Sequence, residues 1–300
     1  MPTLTRRQAN ALRMAADRAG RAPSQRSSPP WEVRLHATRL EVRLDPDRRL
    51  PALDPRGREW IMSVGAALLD VRIGMAAAGQ AATVARFPDR EQADLAAVVR
   101  PVDGVPDADL AALATLVQVR HSTWLGAAGT PPPCVRGRLA ATAEAEQAVL
   151  LTLEASQCRL LARLTGIGGS AAAADCTLVL ATAEDEPVSW LRAGEALERV
   201  LLEAMRHGYR AIVDSHPIDR TAARGTLRRL LPPGRHPQTV LHVGRAEAGT
   251  GAPHLCAVAR VHDLTALPRV GGPGRAGPAA LPLDAPDRGG TTAVTVGTRR

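Results

Sequence analysis

Lysine is absent from this sequence of 300 residues, so all 38 of its permanently basic side chains are arginines. Several classes of enzyme need a lysine amine at the reacting centre. A Walker A phosphate loop, a pyridoxal Schiff base and a Ser-x-x-Lys acylase site are therefore excluded. Every fixed cationic contact to a ligand has to come from arginine.

Aromatic and cysteine residues are also scarce. Aromatic side chains make up 2% of the sequence, with one Phe and one Tyr, so the core has to be built from Ala, Leu and Val. The four cysteines contain no Cys-x-x-Cys pair and no regular spacing, which argues against structural zinc and against a disulfide framework. We expect no metal site.

No uninterrupted apolar run reaches the roughly 18 residues that a membrane span needs, and the first twenty residues lack a signal-peptide pattern. The formal charge of +8 comes from arginines that are spread along the chain. Nucleic-acid binding favours clustered basic residues with stacking aromatics, and this pattern is missing. We therefore predict a cytoplasmic protein with neither a membrane nor a nucleic acid as its partner.

An internal repeat is the most informative pattern present. The segment 65–88 aligns with 194–217 at a constant offset of 129 residues. Such a repeat indicates one supersecondary unit that is used twice. A ligand site often lies where two copies of a unit meet. The matched pairs are Gly65/Gly194, Ala67/Ala196, Leu68/Leu197, Gly79/Gly208, Ala82/Ala211, Val84/Val213 and Pro88/Pro217.

Hydrophobic periodicity predicts a mixture of helices and strands whose order is not a simple alternation. This order favours an α+β fold over a doubly wound parallel sheet. The predicted helices are 5–20, 59–79, 91–99, 107–119, 140–164, 190–208 and 220–231. The predicted strands are a hairpin within 33–44, then 81–84, 177–182, 210–213 and 237–244.

Several segments resemble the Acg-type, actinobacterial branch of the flavin-dependent nitroreductases. That branch carries Ala-Pro-Ser-x-His-Asn-x-Gln-Pro-Trp between a helix and a strand, and Ala22, Pro23, Ser24, Pro30 and Trp31 match it. The segments 54–58, 63–67, 193–202 and 234–238 are also similar to this branch. The resemblance extends from about residue 11 to residue 244.

The resemblance implies a nitroreductase-like fold in which two tandem half-domains form a pseudo-dimer within one chain. We place the first half at 1–119 and the second at 120–267, followed by a Gly/Pro-rich tail at 268–300 that we expect to be disordered. The 129-residue repeat is what such an architecture predicts. The expected state is a monomer with an internal pseudo-two-fold axis.

The resemblance also implies FMN as cofactor, NAD(P)H as reductant and a small molecule as acceptor. Arginine and hydroxyl side chains are suitable partners for the flavin phosphate and the polar edge of its ring. No side chain is assigned as an obligatory catalytic acid. The implied cofactor-binding residues are Arg21, Ser24, Arg26, Ser27, Trp31, Arg120, Ser122 and Arg235.

The flavin motifs are substituted at several positions. The family His, Asn and Gln of the first run are replaced by Arg26, Ser27 and Pro29. In the run that begins at Arg120, His121 and Trp124 replace two family arginines. Each lost neutral hydrogen bond costs about 0.5–1.5 kcal/mol. These substitutions keep open an alternative, in which a flavin-poor or flavin-free protein has a binding, sequestering or regulatory role.

Overall fold

The computed structural model describes residues 4–19, 29–119, 129–165, 176–245 and 260–265. These residues contain nine α-helices and nine strands in two sheets, so the predicted α+β class is confirmed. The helices are α1 Arg6–Ala19, α2 Arg58–Ala77, α3 Ala108–Ala112, α4 Ala114–Val119, α5 Pro133–Glu144, α6 Ala155–Thr165, α7 Pro187–Arg206, α8 His216–Asp219 and α9 Thr221–Leu230. The strands are β1 Trp31–Leu35, β2 Leu40–Leu44, β3 Ala82–Arg86, β4 Leu95–Pro101, β5 Val149–Thr152, β6 Thr177–Thr182, β7 Tyr209–Asp214, β8 His236–Arg245 and β9 Arg260–Asp263.

The two sheets have the same strand order, with β5, β6, β7 and β8 in the places of β1, β2, β3 and β4. The first runs β3-β4-β2-β1-β9 and the second runs β7-β8-β6-β5. All pairings among their first four strands are antiparallel, and each sheet has one register shift, within the β2–β4 and β6–β8 pairs. The late strand β9 joins the edge of the first sheet, parallel to β1. The segment that follows the second sheet therefore pairs with the first.

The repeated helices α2 and α7 cross where the two matched glycines lie. A Cβ atom at Gly65 would overlap the carbonyl oxygen of Leu191 and lie 2.9 Å from the Cα of Gly194. A Cβ atom at Gly194 would overlap the carbonyl oxygen of Met62. Met62 and Leu191 are themselves 129 residues apart. The contacts are thus reciprocal, as they are between two copies related by a two-fold axis.

The largest hydrophobic cluster joins both sheets to the central helices. It includes Val33 of β1, Leu68 of α2, Leu180 of β6 and Val200 of α7. The helix α2 is long and apolar enough to cross a membrane, but 78% of its most apolar window is buried inside the protein. It packs against α7 and α1, and it acts as a core helix.

Two predicted helices are wrong. The segment 91–99 contains most of the strand β4, and the segment 140–164 contains the end of α5, then β5 and most of α6. In both cases Ala, Leu and Val form runs whose period does not separate a buried strand from a helix. Gln147, with a φ of 61°, turns the chain between α5 and β5 in a conformation that a helix cannot contain.

The described residues all belong to one compact unit, which extends to residue 266. The predicted boundary between halves at 119/120 stays a prediction. The predicted tail at 268–300 lies outside the described residues.

Candidate functional site

A cavity of about 520 Å³ opens between the loop that precedes α2 and the segment from α8 to β8. Leu53, Arg56 and Arg58 line one side, whereas Asp219, Arg224, Arg228 and His236 line the other. We call this cavity the arginine pocket. Its volume lies within the range of small-molecule sites, about 300–1,000 Å³. Two of the segments that carry the family resemblance, 54–58 and 234–238, meet here.

The loop side of the pocket is held by Asp54. One carboxylate oxygen accepts a hydrogen bond from the backbone N–H of Arg58, and the other accepts one from that of Trp60, both at 2.9 Å. These two N–H groups belong to the first turn of α2, where no intrahelical acceptor exists. Asp54 is therefore engaged in capping the helix. Its charge is compensated locally.

Arg58 forms the floor of the pocket and ties the loop to the opposite wall. Its side chain is only 6% exposed, and its guanidinium donates to the carbonyl oxygen of Gln238 and pairs with Asp219 at 3.3 Å. Burial lowers the pKa of Arg58, because a desolvated charge is less stable. The adjacent Glu59 has a raised pKa, first through burial and then through the negative charge of Asp219.

Asp185 organises the inner wall. Its Oδ1 accepts from Arg224 Nη2 and from Trp190 Nε1 at 2.8 Å each, and its Oδ2 accepts from Arg56 Nη1 at 2.7 Å. The Arg56 guanidinium also lies over the Trp190 ring, 5.0 Å from its centroid. Burial alone would raise the pKa of Asp185, but the hydrogen bonds from Arg224, Trp190 and Arg56 hold it well below its usual value.

Asp185 was not predicted from the sequence, although a signal was available. Arg56 and Asp185 are separated by 129 residues, the offset of the internal repeat. Each of the two residues precedes its helix by two positions, Arg56 before α2 and Asp185 before α7. The ion pair Arg56–Asp185 therefore joins equivalent positions ahead of the two helices that cross at Gly65 and Gly194.

His236 reports the sign of the electrostatic potential in the pocket. Its pKa is lowered, first by burial and then by the positive charges of Arg228, Arg224 and Arg56, with Asp185 opposing them. The arginines thus outweigh the carboxylate at this position. Arg228 has no ion-pair partner among the described residues. The pocket therefore favours an anionic ligand.

Most of the predicted cofactor-binding residues lie outside the described residues: Arg21, Ser24, Arg26, Ser27, Arg120 and Ser122. Trp31 is described, and it is a core residue. Its side chain is buried, and its Nε1 donates to the carbonyl oxygen of Ala19 at 3.1 Å. The neighbouring Pro30 accepts a hydrogen bond from Trp60 Nε1 at 3.1 Å, which anchors the end of the 21–31 run beside the start of α2.

Arg235 faces a second cavity of about 410 Å³, together with Arg192, Ser189 and Glu184. Its sequence neighbours His236 and Pro237 line the arginine pocket instead. Trp31 and Arg235 are therefore not brought together in one cavity, and their roles toward a flavin stay predictions. Within the described part of the chain, no group of three or more His, Cys, Asp or Glu side chains could hold a metal ion.

Curated proteins of Mycobacterium tuberculosis are similar to this sequence over most of its length. "Putative NAD(P)H nitroreductase Rv3131" is 29% identical over 297 residues, covering 79% of this chain and 86% of that protein. "Putative NAD(P)H nitroreductase acg" is 27% identical over 299 residues, covering 78% and 89%. The chain is a homologue of the Acg-type nitroreductases. The predicted resemblance is thus confirmed.

No family model matches this chain. Among solved structures, it overlaps with an NADPH:FMN oxidoreductase from Vibrio harveyi at a TM-score of 0.40 and 14% identity, covering 48% of this chain and 73% of that one. It overlaps with a nitroreductase with bound FMN from Bacteroides fragilis at a TM-score of 0.40 and 12% identity, covering 47% and 92%.

Proposed function

We propose that the chain is an FMN-dependent NAD(P)H oxidoreductase of nitroreductase type that acts on a small-molecule acceptor. The observation that carries this proposal is the arginine pocket, a cavity with cationic lining at the meeting of two motif segments. The names of the mycobacterial homologues support the reaction class. Hydride transfer from NAD(P)H to an acceptor is the chemistry that FMN supplies when it is bound.

The residues of the pocket fit such a cofactor in two respects. Leu53, Pro55, Ile218 and Pro237 supply apolar surface for a flat ring system, and the arginines supply donors for a phosphate. In this proposal Arg120 and Ser122 remain the predicted partners of the flavin phosphate, and Arg21 and Arg26 remain predictions for the phosphate or the ring edge. Ser24, Ser27, Trp31 and Arg235 remain predicted flavin-binding residues.

The chain's own residues prepare the pocket before any ligand arrives. Asp185 fixes the guanidinium groups of Arg56 and Arg224, so their orientation costs no entropy when an anion binds. Arg58, held by Asp219 and Gln238, closes the floor.

We further propose that the architecture is that of a fused dimer in one cytoplasmic chain, with a first half at 1–119 and a second at 120–267. The shared strand order of the two sheets and the reciprocal Gly65/Gly194 contacts support this proposal. The strand β9 then carries the end of the second half into the sheet of the first. A monomeric mass in solution is the expected outcome.

The test of the cofactor is direct. The purified chain is expected to bind FMN with a visible absorption spectrum that NADH or NADPH bleaches. Arg120→Ala should retain less FMN, whereas Arg100→Ala, an exposed arginine on β4, should match the wild type. A colourless protein that ignores added FMN would overturn the proposal and leave the flavin-free alternative, which the substitutions at Ser27 and Pro29 favour.

A further inference from the structure

One wall of the arginine pocket has more positive charge than its carboxylates neutralise. Arg224, Arg228 and His236 line this wall. We infer that these three residues form a binding site for a phosphate monoester, and we call them the phosphate wall. The phosphate wall is defined by the structure alone. The inference rests on the proposed function only where it names the molecules that could supply the phosphate.

The hydrogen bonds of Arg224 leave most of its donors available. Its Nη2 atom makes both side-chain hydrogen bonds, to Asp185 at 2.8 Å and to the carbonyl oxygen of Pro237 at 3.3 Å. The Nε and Nη1 atoms of a guanidinium carry three more N–H donors. Because Asp185 fixes the plane of the group, these donors have a defined direction. Arg224 is thus a preorganised partner for a tetrahedral oxyanion.

Arg228 follows Arg224 by one turn of α9, so both side chains leave the same face of the helix. The Arg228 guanidinium forms no hydrogen bond or ion pair with the other described residues. Two like charges at this spacing repel each other in the absence of an anion. An anion placed between them removes that repulsion and gains charge-assisted hydrogen bonds from both.

His236 completes the wall and supplies an independent readout. The charges that face it are Arg228 and Arg224 of α9, Arg56 of the loop before α2, and Asp185 of the loop after β6. Their combined effect and burial lower its pKa, so it is neutral near pH 7. A bound phosphate dianion would reverse the local field. The pKa of His236 is therefore expected to rise when phosphate binds.

A phosphate monoester suits this wall better than a carboxylate does. A carboxylate offers two oxygens and one charge, which a single arginine can satisfy in a bidentate pair. A phosphate monoester offers three terminal oxygens and up to two charges, which matches two arginines and one imidazole. The flavin phosphate and the 2′-phosphate of NADPH share this chemistry, and the experiment separates them.

The test starts with inorganic phosphate and the full chain without added flavin. Titration calorimetry should show binding that Arg228→Gln weakens by about tenfold, the effect of losing a charge-assisted contact. Arg229→Gln is the matched control. Arg229 is the next residue of α9, bonds only to Thr226 Oγ1 at 3.0 Å, and does not line the pocket. Its substitution should leave phosphate binding unchanged.

The source of the phosphate follows from two comparisons. If Arg228→Gln weakens the binding of FMN but leaves the binding of riboflavin unchanged, the flavin phosphate occupies the wall. If it weakens the binding of NADPH but leaves the binding of NADH unchanged, the 2′-phosphate of NADPH occupies the wall. Proton NMR should show the pKa of His236 rising with phosphate in the wild type and rising less in Arg228→Gln. Each of these results supports the phosphate wall.

Equal losses in Arg228→Gln and Arg229→Gln would show a general effect of charge and overturn the inference. Undetectable phosphate binding together with an unchanged FMN affinity in Arg228→Gln would overturn it too, while leaving the proposed FMN function intact. Conversely, a protein that binds phosphate through Arg228 but never binds FMN would refute the proposed function and support the wall. Both substituted residues are exposed, and unchanged melting temperatures verify the fold.

Discussion

The closest approach of α2 and α7 makes a sharp prediction about stability. Replacing Gly65 by Ala adds one Cβ atom at the crossing, and the atoms that it meets belong to the backbone. They are the carbonyl oxygen of Leu191, the Cα of Gly194 at 2.9 Å and the amide nitrogen of Glu195 at 3.0 Å. Backbone atoms cannot rotate away as a flexible side chain can. The two helices therefore have to move apart.

The size of the effect follows from the geometry. Carbon atoms in contact lie about 3.5–4.0 Å apart, and the overlap with the Leu191 carbonyl oxygen is tighter still, so the helices have to separate by about 1 Å or more. Overpacking of this kind costs about 1–3 kcal/mol and sometimes more, and the upper end of this range applies because Met62, Leu191 and Ala193 at the crossing belong to the largest core cluster. The better helix propensity of Ala returns about 1 kcal/mol. We expect Gly65→Ala to lower the free energy of unfolding by about 2 kcal/mol.

Urea denaturation, followed by circular dichroism, measures this change. Gly194→Ala should cost a similar amount, because its Cβ atom would overlap the carbonyl oxygen of Met62. The double variant should cost less than the sum, since helices already separated by one methyl group accommodate the second. Gly137→Ala in α5 is the control, because a Cβ atom there meets nothing within 4 Å. That variant should be neutral or slightly more stable.

Two results would refute this reasoning. If Gly65→Ala were as stable as Gly137→Ala, the helices would not approach as closely as the structure shows. If the double variant cost the full sum of the single changes, the two glycines would act independently. The reciprocal contact that supports the fused-dimer proposal would then make no measurable contribution to the coupling between the two substitutions.

Two further substitutions test the charged groups that join the elements. Glu195→Gln should destabilise the chain by about 3–5 kcal/mol in urea unfolding, because this fully buried carboxylate accepts from Arg72 at 2.8 Å and from Arg86 at 2.6 Å. The exposed Glu154→Gln is its control, and equal stability of both variants would contradict the assignment. Asp185→Asn should flatten the acid limb of the stability profile. The folded-state pKa of Asp185 is depressed, so its contribution is present above its ordinary pKa and is lost as pH falls below that value. An acid limb identical to that of the wild type would contradict this cause.

Periodicity located the long elements well. The helices α2 and α7 and the strands β6 and β8 lie within a few residues of their predicted positions, because each combines a clear apolar pattern with a Gly or Pro stop. The strands β4 and β5 were missed. Both are Ala, Leu and Val runs whose strand geometry depends on the neighbours β2, β3 and β6. Such pairing is a tertiary contact that no local pattern contains.

The candidate site was likewise predicted in part from the sequence and in part only from the structure. The segments 54–58 and 234–238 were singled out from the sequence, and the structure brings them to one pocket. Asp185 was missed because a lone carboxylate in a loop is an ordinary surface residue until its partners are known. Of its four donors, only Trp190 of α7 is near in the sequence, whereas the other three come from the loop before α2, from α9 and from β8.

By itself, the sequence determined the chemistry that is available and the existence of a duplicated unit. The absence of lysine leaves arginine as the only fixed cation, and the 129-residue offset marks the two copies. Only the tertiary structure decided how the copies meet. The Gly65/Gly194 crossing and the Arg56–Asp185 pair arise because α2 and α7 pack against each other, and a repeat offset marks matching positions without saying which faces of two helices meet. The charge of the pocket likewise depends on which arginines are neutralised by neighbours, a property of positions in space.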